Sequence, residues 1–189
     1  MEELNQSLFL KINSLVGTHH TIDFLGIVIG EYMPYLFILV ELLLYFIFKK
    51  KNIVIFAFMS MVLALGINQL IGLFYFHNRP FMDGLGTTLV HHTAESSFPS
   101  DHTTFMFGIA IYLFMSMENK ILGQILLVLA FIGGMARVFI GVHYPFDIIV
   151  SIITATIASL IIYKFQHKLQ PINNLVFKIE NKIFSKNED

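Results

Sequence analysis

Cysteine is absent from the 189 residues, and so is tryptophan. Without a thiol the chain cannot form disulfides, attack through cysteine or bind a metal through thiolate. Charge is also scarce, at 13% of residues, against about 25% in a soluble domain. That deficit comes with 56% hydrophobic residues and a mean hydropathy of +0.71. It excludes an ordinary soluble globule and points to an integral membrane protein. A formal net charge of −1 speaks against a nucleic-acid partner. The opening MEELNQ is acidic where a secretory signal is basic, and no small-residue cleavage site follows an apolar core. No signal peptide is therefore expected. No repeat or low-complexity stretch divides the sequence, so one domain over residues 1–189 is expected.

What is abundant is long apolar runs. The expected fold is all-α, a polytopic bundle of about five to six transmembrane helices. Residues 5–16 are too short and too polar to cross a bilayer and read as an interfacial amphipathic helix within an N-terminal segment 1–20. The apolar stretch from Ile22 to Phe48 exceeds the roughly 20 residues one span needs. Gly30 and Pro34 are expected to break it into a short in-plane helix and a span. Further spans are expected over Ile53–Phe76, Thr103–Met117, Ile121–Phe139 and Phe146–Tyr163, the Thr103 run being helical mainly if the residues before it form its first turn. The segment 166–189 reads as a polar, Lys-rich cytoplasmic tail.

Lysine placement orients these spans. Lys49, Lys50 and Lys51 end the first crossing, Lys120 sits in a later turn, and Lys164 and Lys168 follow the last. Alternating crossings bring all of them to one side, which the positive-inside rule makes cytoplasmic. The loop His77–Asp101 and the turn Arg137–Pro145 then share the external face of a plasma membrane. Both carry the residues that hydrocarbon does not explain.

Of twelve basic residues ten are Lys, and the two arginines, Arg79 and Arg137, sit at external ends of spans. Lysine would snorkel there equally well; arginine adds a planar fork that grips phosphate. In PSDH (Pro99–His102), Ser100 or Asp101 can cap a new helix, whose free N–H groups suit an anion. Capping leaves His102 unexplained. In ARVFIGVHYPFD, Pro145 suits the first helical turn, and Asp147 is near enough to reach back to His143. A carboxylate on one imidazole nitrogen makes the other a better base or nucleophile. The plainer alternative is that Asp147 complements the helix dipole. Two arginines, two histidines and a carboxylate on one face nevertheless form a set that can hold a phosphate, attack it and protonate what leaves.

Three segments then appear in order: GLFYFHNRP (Gly72–Pro80), PSDH, and ARVFIGVHYPFD (Ala136–Asp147). Together they resemble the type-2 phosphatidic acid phosphatases, relatives of the vanadium haloperoxidases, whose motifs read K-x6-R-P, P-S-G-H and S-R-x5-H-x3-D. Gly72, Asp101 and Ala136 stand where that pattern has Lys, Gly and Ser. One phosphate-binding cation is thus replaced, leaving Arg79, Arg137, backbone N–H groups and His77 or His92 as the candidates to serve instead. FHNRPF, HHTAESSFPSDHTT and GVHYPFD are further similar to the bacitracin-resistance type of undecaprenyl-diphosphatase.

The resemblance implies hydrolysis of a polyprenyl diphosphate lipid to its monophosphate outside the membrane, recycling the carrier of cell-wall synthesis. It implies that His143 is the nucleophile and forms a phosphohistidine, that Asp147 orients it and that His102 is the acid. Arg79, Ser100, Arg137 and Asp101 would surround the phosphoryl group, and His77, His92 and Glu95 are possible substrate contacts. No cofactor, metal or protein partner is expected; His91, His92 and Glu95 are the residues that would have to hold a cation. Glu31 is expected near the external interface. A broader lipid phosphatase and a non-enzymatic transporter are the rival readings.

Overall fold

The computed structural model describes residues 1–185, and every regular element in them is helical. Six helices follow in order: α1 (Glu2–Asn13), α2 (His20–Phe46), α3 (Lys51–Phe74), α4 (Asp101–Ser116), α5 (Ile121–Phe139) and α6 (Pro145–Ser185). Four of them, α2, α3, α5 and α6, are long and apolar enough to cross a membrane. At 16 residues, α4 spans only about 24 Å. It can be that short because it is the inner helix, packed against α3, α5 and α6.

Close approach among these helices depends on small residues, as expected where lipid competes for apolar contact. A Cβ at Gly108 of α4 would fall 2.8 Å from Met61 Cα of α3. Polar side chains bridge the same interfaces. Ser60 and Ser159 pair at 2.8 Å. The Asn68 amide donates to Thr104 at 2.8 Å, while its oxygen accepts from Thr154 at 3.0 Å. Asn68 thereby ties α3, α4 and α6 together directly beneath the polar loops.

One expectation needs correcting, and two segments gain structural detail. First, α2 does not break at Gly30 or Pro34; it runs unbroken with Pro34 inside it. A transmembrane helix tolerates an internal proline when something else satisfies the carbonyl that proline cannot bond. Here the orphan is the Gly30 carbonyl, four residues back, and Arg137 Nη1 donates to it at 3.2 Å. Second, residues 166–185, read from sequence as a polar tail, are helical. They continue α6, where Asn173 donates to Asn52 at 2.9 Å and Glu180 meets Lys51 and Tyr45. Residues 186–189 lie outside the described residues. Third, α1 is docked on protein rather than only lying in the interface. Asn5, Phe9 and Asn13 are buried, and Asn13 bonds Thr87 and the Phe139 carbonyl.

These contacts put α1, the long loop after α3 and the α5–α6 turn at one end of the bundle. The α2–α3 turn with Lys49–Lys51, and the α4–α5 turn with Lys120, lie at the other. Residues of the three motif segments are therefore gathered at one end, at the mouths of α3, α4, α5 and α6.

Candidate active site

A cavity of about 410 Å³ opens at this end, with Arg79, His92, Glu95, Asp101, His102, Arg137 and His143 among its lining residues. His143 lies in the turn before α6 and is almost fully buried. Its Nδ1 is 3.3 Å from Asp147 Oδ2, one helical turn on. The same oxygen accepts the Tyr144 N–H at 2.8 Å, which fixes the carboxylate. Because the Arg79 guanidinium beside Nε2 can only donate, Nε2 presents its lone pair and Nδ1 carries the proton. Arg79 Nη1 donates towards that lone pair at 3.3 Å and to the Val142 carbonyl at 2.9 Å. Burial, reinforced by the charges of Arg137 and Arg79, holds the pKa of His143 well below the ordinary imidazole value. The imidazole is therefore held in its neutral form.

Each arginine already meets one carboxylate. Arg79 Nη2 donates to Glu95 at 3.2 Å and to the Ser96 carbonyl at 3.3 Å. Burial lowers the Arg79 pKa, and Glu95 and Asp147 counter it. Arg137 is fully buried, and its Nη1 is shared by the Gly30 carbonyl and Glu31. Arg79 Nε, Arg137 Nε and Arg137 Nη2 are buried without a partner. Buried N–H groups are rarely left so. Orphan donors on two cations beside a cavity describe a place for an anion.

His102 sits in the first turn of α4 and lines the cavity with His143. Ser100 takes the N-cap position but makes no side-chain cap. Its hydroxyl is fully buried and accepts from Thr103 at 3.1 Å, so the first-turn amides of α4 have no side-chain cap. Asp101 reaches the cavity, held from α3 by Asn68 at 2.9 Å and Gln69 at 3.3 Å. Burial and then Arg79 push the His92 imidazole below its usual pKa.

His77 is displaced from its expected place as a substrate contact. It is not among the cavity-lining residues and stands behind Asp147, with Nδ1 3.8 Å from Oδ1 and Nε2 3.4 Å from Glu2. Among the described residues, no three His, Asp or Glu side chains gather in a way that could hold a metal ion. His91, His92 and Glu95 are thus not assembled as ligands.

The match to the PAP2 superfamily covers residues 53–171, which takes in all three motif segments. The chain belongs to the PAP2 superfamily. Among its relatives, Undecaprenyl-diphosphatase BcrC of Bacillus subtilis (strain 168) is 33% identical over 97% of this chain and 95% of that protein. Bacitracin transport permease protein BcrC of Bacillus licheniformis is 31% identical over 98% of this chain and 94% of its own length. The crystal structure of Aquifex aeolicus LpxE superposes with a TM-score of 0.72 at 27% identity, covering 85% of this chain and 95% of that one. Within this PAP2 chain the matched region begins inside α3, so α1 and α2 lie outside it. Sequence spacing located Arg79, His102, Arg137, His143 and Asp147, and the structure brings all five together. It left the partner of Arg137 undefined. Glu31 lies 106 positions away on a helix without a motif, and only its unusual charge within an apolar run signalled it.

Proposed function

We propose that the chain is a membrane phosphatase that hydrolyses undecaprenyl diphosphate to undecaprenyl phosphate and inorganic phosphate, and that it thereby confers bacitracin resistance. The observation that carries this is His143 Nε2, which accepts from Arg79 at the lining of a cavity where two arginines keep unpaired donors. The similarity to the B. subtilis diphosphatase along nearly the whole chain supports the substrate.

In the first step a terminal phosphoryl oxygen takes the Arg79 donor and frees His143 Nε2. The nitrogen attacks phosphorus in line, and the bond to the bridging oxygen breaks. The electron pair stays on that oxygen, and protonated His102 gives it a proton. Asp147 offsets the charge left on the phosphorylated imidazole. In the second step neutral His102 takes a proton from water as the water attacks phosphorus, and the N–P bond breaks. Arg79 and Arg137 stabilise the equatorial oxygens in both transition states. A second cavity of about 250 Å³ shares Gln69, Asp101 and His102 and extends to Pro34 of α2; it gives the lipid side of the substrate a way out. The lysine distribution supports an outward-facing site in the plasma membrane.

The deciding experiment measures phosphate release by purified protein from undecaprenyl diphosphate, phosphatidic acid, phosphatidylglycerophosphate and diacylglycerol pyrophosphate. Preference for the first supports the proposal, and preference for a glycerolipid moves the chain to the broader phosphatase class. The name of the B. licheniformis relative favours a second reading, bacitracin transport. Bacitracin tolerance without any vanadate-sensitive phosphate release would support it.

A further inference from the structure

Helix α2 lies outside the matched region and carries none of the three motifs, yet it makes the most intimate contact with a phosphate-facing arginine. The reason is a local defect. Pro34 has no N–H, so the carbonyl four residues earlier, at Gly30, is deprived of its helical donor. An unpaired carbonyl inside a membrane protein is costly and seeks another donor. Arg137 Nη1 supplies it at 3.2 Å. Glu31, the next residue, receives the same nitrogen.

From this we infer that Gly30, Glu31 and Pro34 of α2 form an arginine clamp that positions Arg137 for phosphoryl binding, with Glu31 and Pro34 as positioning residues. Holding one terminal nitrogen leaves the other two, Nη2 and Nε, without protein partners on an arginine that lines the cavity. Those two nitrogens lie on one edge of the guanidinium plane, the edge that binds two phosphate oxygens side by side. The clamp therefore selects which edge faces substrate. Glu31 also offsets a charge that is otherwise fully buried, without occupying the edge used for binding. Glu95 differs, because it sits on a loop with its side chain 60% exposed and can swing off Arg79. A carboxylate fixed to α2 at the residue beside the bonded carbonyl remains with Arg137.

The assignment deepens the phosphatase reading and rests on it. Its test uses full-length protein in detergent or vesicles, with phosphate release, orthovanadate affinity and thermal stability as readouts. Glu31→Ala should reduce kcat/KM by about 10- to 100-fold, the size expected of a misplaced binding group, and weaken orthovanadate binding. Glu31→Gln keeps an acceptor oxygen and should restore most of both.

Pro34→Ala separates positioning from mere support. It returns an N–H to Gly30, so α2 should become no less stable while activity and orthovanadate affinity fall. A double-mutant cycle completes the test, since Glu31→Ala should cost little more in an R137K background. Wild-type kinetics and orthovanadate affinity in Pro34→Ala and Glu31→Ala would overturn the clamp, as would fully additive losses. If Glu31→Ala does not fold, Pro34→Ala alone decides. Failure of the phosphatase reading looks different: the unaltered protein would then release no phosphate from any lipid.

Discussion

His143 and Asp147 stand one helical turn apart, with the imidazole Nδ1 3.3 Å from a carboxylate oxygen that the Tyr144 amide also grips at 2.8 Å. The pair joins the α5–α6 turn to α6, because Pro145 starts the helix and Asp147, in its first turn, faces back to His143. His143→Ala should abolish turnover, by at least the roughly 10²–10⁴-fold that a positioned catalytic group contributes, and leave the protein folded. Asp147→Asn should lose less, since it removes orientation and charge support but not the attacking atom. Near-normal phosphate release from purified His143→Ala would end the proposed mechanism.

The burial of His143 makes two statements about pH. The proposed mechanism needs His143 neutral and His102 protonated, so the rate should follow a bell whose limbs belong to the pair. Because the His143 pKa is depressed, the acid limb should lie below the ordinary imidazole value of about 6.5. Stability has the matching sign. Below about pH 6.5 the unfolded chain protonates this imidazole more readily than the folded one, so stability falls as pH drops towards the folded pKa. Melting temperatures from pH 8 down to pH 5 should show this loss, and His143→Phe should flatten it. A rate constant across pH 5 to 9 would exclude a two-histidine mechanism.

Glu95 reaches Arg79 Nη2 at 3.2 Å from a largely exposed position. An incoming phosphate must compete with it for that donor. Glu95→Gln should lower KM by about three- to fivefold, the worth of a partly exposed ion pair, with kcat little changed. A raised KM would instead make Glu95 a substrate contact.

Phosphate release should survive EDTA, because neither proposed step uses a metal ion. Full loss on chelation with restoration by a divalent ion would assign His91, His92 and Glu95 a ligand role.

Sidedness can be read with single cysteines, since the chain has none of its own. His91→Cys, in the exposed loop on the site side, should react with an impermeant thiol reagent in intact cells. Glu118→Cys, in the exposed turn at the opposite end, should react only after lysis. The reverse pattern would place the site in the cytoplasm.

What the sequence made legible here is what local spacing controls. His143 is four residues before Asp147, just ahead of the first turn of α6, and Arg137 lies in the last turn of the preceding span, so their meeting follows from short local spacing. Hydropathy marked the spans, and lysines marked their common end. Glu31 and Arg137 could not be paired that way, because their encounter depends on how α2 packs against α5. Pro34 misled for a related reason. Proline breaks a helix when its orphaned carbonyl has no other donor, and the donor here comes from 103 positions further along than Pro34. His77 looked like a substrate ligand from its place in the first motif, but the chain turns it to the far side of Asp147.

The docking of α1 has a practical consequence for handling the protein. Glu2 lies 3.4 Å from the imidazole behind Asp147, and Asn5 accepts the Phe146 amide at the start of α6. A purification tag joined at Met1 would therefore press on the catalytic end, and with an external site a folded fusion partner there would also have to be exported. Helix α6 reaches the far end of the bundle, where Glu180 meets Lys51. Affinity handles and fluorescent reporters joined after α6 keep clear of these contacts.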